Sequence, residues 1–269
     1  MSSSKLFTIH FSLVLLLLTS CRYIGEEERL IYVKPEPAKR VVLLEDFTGQ
    51  RCVNCPKGTE VIEELQETYG DTAFIAVGIH GGPLGFSGNA KFKGLATKTG
   101  DDYFTNWGLE YQPVGLINRH GAVKYTDWAA KVREEMAKAA RMNLSVDATS
   151  SDGQINIMVS AYGTDGLVEG KLQVWLVEDS IIAMQMMPDS KVNTEYIHNH
   201  VLRATVNGLW GDDFCVNEGE LKDILFTFQL DSEWKPENLS IVAFVYNNNE
   251  GVMQAAKRKL KIENKNEKV

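Results

Sequence analysis

An α/β unit followed by an all-β unit is the fold class the sequence predicts, on three observations. From Val41 a short apolar strand, a helical run and a second apolar strand follow one another. From Asn143 the chain changes to short strand-like runs separated by Gly, Asn and Asp. Between the first strand and the first helix stands Cys52-Val53-Asn54-Cys55, two thiols spaced by one helical turn.

Residues 1–20 read as an export signal: Lys5 supplies a cation and Phe11 to Leu18 a mostly apolar core. That core is too short to cross a bilayer as a helix, which takes about 20 apolar residues. Leu18-Thr19-Ser20-Cys21 has the shape of a lipobox, so Cys21 is the expected lipidated residue and membrane anchor. Residues 21–40, with Glu26-Glu27-Glu28 and Pro35-Glu36-Pro37, lack apolar periodicity and read as a solvated tether.

Val41 to Phe47 and Ala73 to Ile79 are expected strands on either side of a helix, in which Val61, Ile62, Leu65 and Tyr69 fall at helical spacing. Strand–helix–strand order predicts a right-handed crossover and a parallel pair. Gly81 to Gly88 lacks the Gly-Lys-Ser/Thr of a phosphate loop and reads as a flexible surface segment. A weaker helix is expected around Asp101 to Trp107. Val114 to Asn118 and Ala122 to Tyr125 flank Arg119-His120-Gly121 in a hairpin pattern, after which Asp127 caps a helix expected to reach Met142. The α/β domain is thus expected over residues 41–142.

An immunoglobulin-like antiparallel sandwich is expected over 143–262. Its runs are Leu144–Ala148, Ile155–Tyr162, Lys171–Glu178, Val201–Val206, Ile224–Leu230, Ser240–Tyr246 and Val252–Ala256. Residues 263–269 form a charged tail.

Loss of the signal leaves 27 Lys+Arg against 36 Asp+Glu, a net charge of −9, which disfavours nucleic acid as a partner. With Cys21 assigned to lipid, Cys52, Cys55 and Cys215 remain, too few for a disulfide-stapled scaffold. Cys215 reads as a buried, small apolar residue.

A lone Cys-x-x-Cys suits either zinc or redox chemistry. Structural zinc takes four protein ligands and no second Cys-x-x-Cys is present, so neither metal nor cofactor is expected. Redox chemistry needs an accessible thiol of depressed pKa. The helix N-terminus and Arg51 favour a thiolate at Cys52, the attacking sulfur, and Cys55 is suited to resolve the mixed disulfide. Resolution needs a base, and Asp46, near the end of the strand beneath the helix, is placed to act through a water. A solvent-facing carboxylate is its plainer role. His80 ends the second strand on the same sheet edge and is within reach of the thiols, although a solvated loop histidine is the simpler reading. His198 and His200 would share one face of a strand as a candidate metal pair, a structural role being preferred.

The order strand with Asp46, Cys52-x-x-Cys55, helix, strand, Pro113, hairpin and final helix resembles thioredoxin-like proteins over roughly residues 38–142. The resemblance implies a cis-proline loop at Pro113 packed against the cysteines, with Gln112 and Pro113 holding a substrate strand. Val53-Asn54 in place of Gly-Pro, and Pro56 after the second cysteine, depart from the usual pattern. More widely, the lipobox, Phe47-Thr48-Gly49 ahead of the cysteines, Pro113 to Arg119 and Tyr196 to Arg203 are similar to the twenty-eight-kilodalton outer-membrane protein family of Bacteroidetes. That resemblance implies an outer-membrane lipoprotein with a thioredoxin-like domain and a β-rich C-terminal domain, on the periplasmic or surface face. Two functions follow as expectations. One is a thiol–disulfide oxidoreductase acting on protein thiols or disulfides of the envelope; the other is a binding or adhesion lipoprotein with a structural disulfide.

Overall fold

The computed structural model of the chain describes residues 33–263. The expected signal, Cys21 and most of the tether lie outside the described residues, as do residues 264–269 of the tail.

In chain order the elements are β1 (Ala38–Lys39), β2 (Val42–Thr48), α1 (Cys55–Tyr69), β3 (Phe74–His80), α2 (Lys98–Asn106), β4 (Val114–Ile117), β5 (Ala122–Lys124), α3 (Trp128–Met136) and β6 (Ala139–Ala140). There follow β7 (Met142–Ser151), β8 (Gln154–Gly163), β9 (Val168–Glu178), β10 (Ile181–Met186), β11 (Val192–His198), β12 (Val201–Thr205) and β13 (Asp212–Val216). The last are β14 (Leu221–Gln229), β15 (Leu239–Asn247), β16 (Gly251–Lys259) and β17 (Lys261–Ile262). The fold is therefore β-rich, with few helices.

β2 and β3 are buried along their whole length, Glu45, Asp46 and His80 included, because both faces of the sheet they form are covered. Val42, Leu44, Phe74 and Ala76 pack against Ile62 and Leu65 of α1 and Trp128 and Val132 of α3. Leu43, Phe47, Ile75, Val77 and Ile79 face the other way, toward Tyr103, Trp175 and Phe244. Burial of each such side chain stabilises by roughly 1.5–3 kcal/mol. The pair is parallel, with Asp46 opposite Gly78 and Thr48 opposite His80, as the crossover requires. α1 opens with Pro56 in its first turn, where no backbone N–H is needed. It closes at Gly70, whose φ of 73° suits glycine and whose N–H bonds Gln66 O at 2.8 Å.

The expected boundary at 142/143 does not interrupt the sheet. Among the described residues one nine-stranded sheet runs β16-β15-β9-β12-β3-β2-β4-β5, with β13 also paired to β9. β12 lies parallel to β3 and antiparallel to β9, joining the two halves of the chain. In place of a separate sandwich, a four-stranded sheet, β14-β8-β7-β17, packs its apolar face on β9 and β15 of that shared sheet. A buried cation ties the halves a second time: Arg119, paired with Glu45 at 2.7 Å, has its guanidinium 4.1 Å from the centre of the Tyr246 ring on β15.

Several local expectations are corrected. The final helix stops at Met136, not Met142, because Ala139 and Ala140 pair with β1 and Met142 is drawn fully buried into the β core. The Gly81–Gly88 segment is not a loose surface loop: Phe86 and Leu95 are buried, and Phe86 O accepts from the N–H groups of Leu95 and Ala96. Cys215 is exposed, since β13 alternates and turns Phe214 and Val216 inward instead. The hairpin β10–β11, and β13, had no counterpart among the expected runs.

Candidate functional site

Cys52 and Cys55 are joined by a disulfide, with Cα atoms 5.4 Å apart. The chain leaves β2 at Thr48 and turns tightly, Cys52 N donating to Gly49 O and Cys55 N to Cys52 O. Asn54 is the cap position and Cys55 the first residue of α1, so Cys52 lies just outside the helix N-terminus. Arg51, the neighbouring cation, stacks on Phe86 with its guanidinium 5.1 Å from the ring centre.

Alternation along β2 separates its two carboxylates. Glu45 goes to the Arg119 side of the sheet, whereas Asp46 points under α1 and is 3 % exposed. With Cys55, Thr59, His80, Tyr196 and His198 it lines a cavity of about 60 Å³. Burial alone pushes the Asp46 carboxyl up to about 8. The solvent-facing alternative is thereby excluded, and His80 also proves to be a buried residue on this cavity, not a solvated one. Burial holds the His80 imidazole well below its ordinary value, helped by the charges of His198 and Arg203, and burial lowers His198 to about 4. Both rings are therefore neutral near pH 7.

The Gln112–Pro113 peptide is cis. The Gln112 side chain is wholly engaged within the protein: Nε2 donates to Thr48 O and Gly81 O, and Oε1 accepts from Leu84 N. It clamps the ends of β2 and β3 to the glycine-rich segment. Pro113 sits close to the start of α1, 3.5 Å from the point a Cβ would occupy at Gly58.

What sequence reasoning missed is the cover. The β10–β11 hairpin, from the far half of the chain, lies over the disulfide. Gln185 Nε2 donates to Cys52 O at 2.9 Å, Met186 N donates to Gln50 O at 2.9 Å, and Gln50 Nε2 donates back to Met184 O at 2.9 Å. Tyr196 hydrogen-bonds the Thr59 side chain of α1. Cys52 and Cys55 are in consequence only 1 % and 2 % exposed, so the expected accessible sulfur is closed off in this state. Pro188-Asp189-Ser190 between two runs was the available turn signal.

His198 and His200 do not form a pair. β11 ends at His198, and His200, which also lines the cavity, has a φ of 58° and meets Asp179 at 2.9 Å and Gln66. Among the described residues no group of three or more His, Cys, Asp and Glu side chains is placed to hold a metal ion. No described helix is long and apolar enough to cross a membrane.

A family model described as Outer membrane protein Omp28 matches residues 100–264, from within α2 to just past β17 and so excluding the cysteine pair. A domain of the outer membrane lipoprotein Omp28 from Porphyromonas gingivalis is 32 % identical, aligned over 46 % of this chain and 92 % of that one, with a TM-score of 0.36. HBP35 of Porphyromonas gingivalis is 18 % identical over 86 % of this chain and 79 % of its own, with a TM-score of 0.65, a likeness of fold. Comparison with curated proteins finds no match.

Proposed function

Because the chain belongs to the outer membrane protein Omp28 family, we propose that this outer-membrane protein carries a thioredoxin-like thiol–disulfide oxidoreductase centre at Cys52 and Cys55. One observation carries the reading: a Cys-x-x-Cys disulfide at the start of α1 stands over a cavity holding a buried carboxyl, Asp46, beside a cis Gln112–Pro113 peptide. The parallel β2–α1–β3 unit with β4 antiparallel to β2 supports a thioredoxin-like arrangement for this part of the chain. Cys52 attacks, Cys55 resolves, and Asp46 takes the Cys55 proton through a cavity water. The main chain at Gln112, rather than its engaged side chain, pairs with the substrate strand beside Pro113. Substrates are protein thiols or disulfides of the envelope, and Cys21 supplies the lipid anchor. The test is a Cys55→Ser variant, which keeps the attacking sulfur and is expected to accumulate mixed disulfides with envelope proteins; trapping no greater than that of a Cys52→Ser,Cys55→Ser control overturns the reading.

The burial of both sulfurs favours a second reading, a binding or adhesion lipoprotein whose disulfide is a staple. A reduction potential below about −300 mV would support the staple.

A further inference from the structure

We propose that His80 and His198 form a proton relay that carries the Asp46 proton to solvent and so frees that carboxylate for the Cys55 proton, a role that rests on the oxidoreductase reading above. Buried polar atoms in folded proteins find partners. Among the described residues Asp46 Oδ1, His80 Nδ1 and His198 Nε2 are buried without one, and all three residues line the same cavity. Each residue is more than nine-tenths buried. The two rings meet edge to face with centres 5.3 Å apart. His198 is bonded to the main chain at Met184 and Ala183, which fixes the ring and leaves Nε2 as an acceptor toward the cavity. A water needs roughly 10–15 Å³ of such space and two to four polar partners, so a cavity of about 60 Å³ lined by these three residues suits a short water chain. The exposed lining residues Glu63 and Asn199, with half-buried His200, mark where that chain reaches solvent. The groups facing His80 are His198 and Arg203, whose charges it feels, with Asp46, Tyr196 and Glu63 on the shared cavity.

The chemistry balances without a further reactant once a dithiol reductant has opened the Cys52–Cys55 bond. Cys52 thiolate attacks a substrate disulfide; that bond breaks, a mixed disulfide forms, and the first substrate sulfur leaves as a thiolate that takes a proton from solvent. The Cys55 thiol gives its proton through a cavity water to Asp46. Its thiolate then attacks Cys52 Sγ, the Cys52–Cys55 bond re-forms, and the second substrate sulfur departs. Two electrons have passed from dithiol to substrate. For Asp46 to accept the Cys55 proton near pH 7 it must first be emptied, because it titrates at about 8. The relay therefore passes the resident Asp46 proton by water past His80 and His198 to solvent before Cys55 gives up its own, and this is the step that limits resolution. In this scheme the histidines are positioning residues that act through Asp46. The two imidazoles stay neutral near pH 7, so they order the water chain and hold the proton only in passage.

The experiment uses the full chain with Cys21→Ser and Cys215→Ser, reduced with dithiothreitol, freed of it and mixed with 5,5′-dithiobis(2-nitrobenzoate). The first thionitrobenzoate released reports attack by Cys52 and the second reports resolution by Cys55. His80→Gln and His198→Gln are expected to leave the first release unchanged and to slow the second about tenfold at neutral pH. That defect should vanish above about pH 9, where hydroxide deprotonates a thiol of ordinary pKa directly. Resolution by both variants at the parent rate across the pH range overturns the relay alone. A parent protein that never releases the second equivalent overturns the oxidoreductase reading and the relay with it. Should either variant fail to fold, His80→Asn or His198→Asn takes its place: slowed second release that recovers above about pH 9 supports the relay, and release at the parent rate overturns it.

Discussion

Asp46 is a carboxyl group with no cation paired to it among the described residues, held 3 % exposed under a helix. Its folded value of about 8 is above the value near 4 that it has in the unfolded chain. Between those two pH values the folded chain keeps a proton that the unfolded chain has released, so stability falls as pH rises through that window. Asp46→Asn removes the titration. The oxidised variant is expected to gain on the order of 1–3 kcal/mol over the parent at pH 8 and almost nothing at pH 4, read by denaturant unfolding. An equal effect at both pH values would contradict a buried titrating group. Glu45, one residue away, has a cation as partner: Arg119 lies 2.7 Å from it and both side chains are buried. Arg119→Met leaves Glu45 uncompensated and is expected to cost about 3–5 kcal/mol, whereas Arg119→Met with Glu45→Leu should recover much of that loss. A double-mutant cycle with no coupling would show that the pair is not shielded.

At the scale of elements, the β10–β11 hairpin governs access to the disulfide. Gln185 is its closest fastening, bonding Cys52 O and Met186 O from a residue 2 % exposed. Gln185→Ala is expected to speed reduction of Cys52–Cys55 by dithiothreitol severalfold, with an unchanged far-ultraviolet spectrum. An unaltered rate would mean that attack takes place without movement of the hairpin. The elements that sequence revealed are those buried on both faces or strictly periodic. β2, β3 and β15 are mostly apolar runs, β2 broken by Glu45 and Asp46 and β15 by Ser240, and α1 shows its stripe at Val61, Ile62, Leu65 and Tyr69. The hairpin was hidden because β11 is mostly exposed and polar from Val192 to Glu195, so neither alternation nor apolar content distinguishes it from a loop. Cys52, Cys55, Asp46 and Pro113 were legible by type and order along the chain. The partnership of His80 with His198 was not, because 118 positions separate them and only the placement of β12 beside β3 brings them together.

The whole molecule is organised around one sheet rather than two. β3 has β2 on one side and β12 on the other, and residues on both sides of position 142 share the cluster of Phe47, Ile79, Trp175 and Phe244. A chain ending after residue 142 would leave the β3 edge unpaired and that cluster open to water. It is expected to aggregate or to lack amide protection in β3, measured by hydrogen exchange, while the longer chain protects those amides. A truncated chain that protects β3 would show that the shared sheet is dispensable.

The distance in sequence between the cysteines and their cover also sets a timetable. Gln185 follows Cys52 by 133 positions. At about 5–20 residues per second, a ribosome needs roughly 7–27 s to make that stretch. Each newly made molecule therefore has an early period in which both thiols exist and their cover does not. The oxidation state in which the pair is first sealed is decided by whatever the emerging chain meets in that interval.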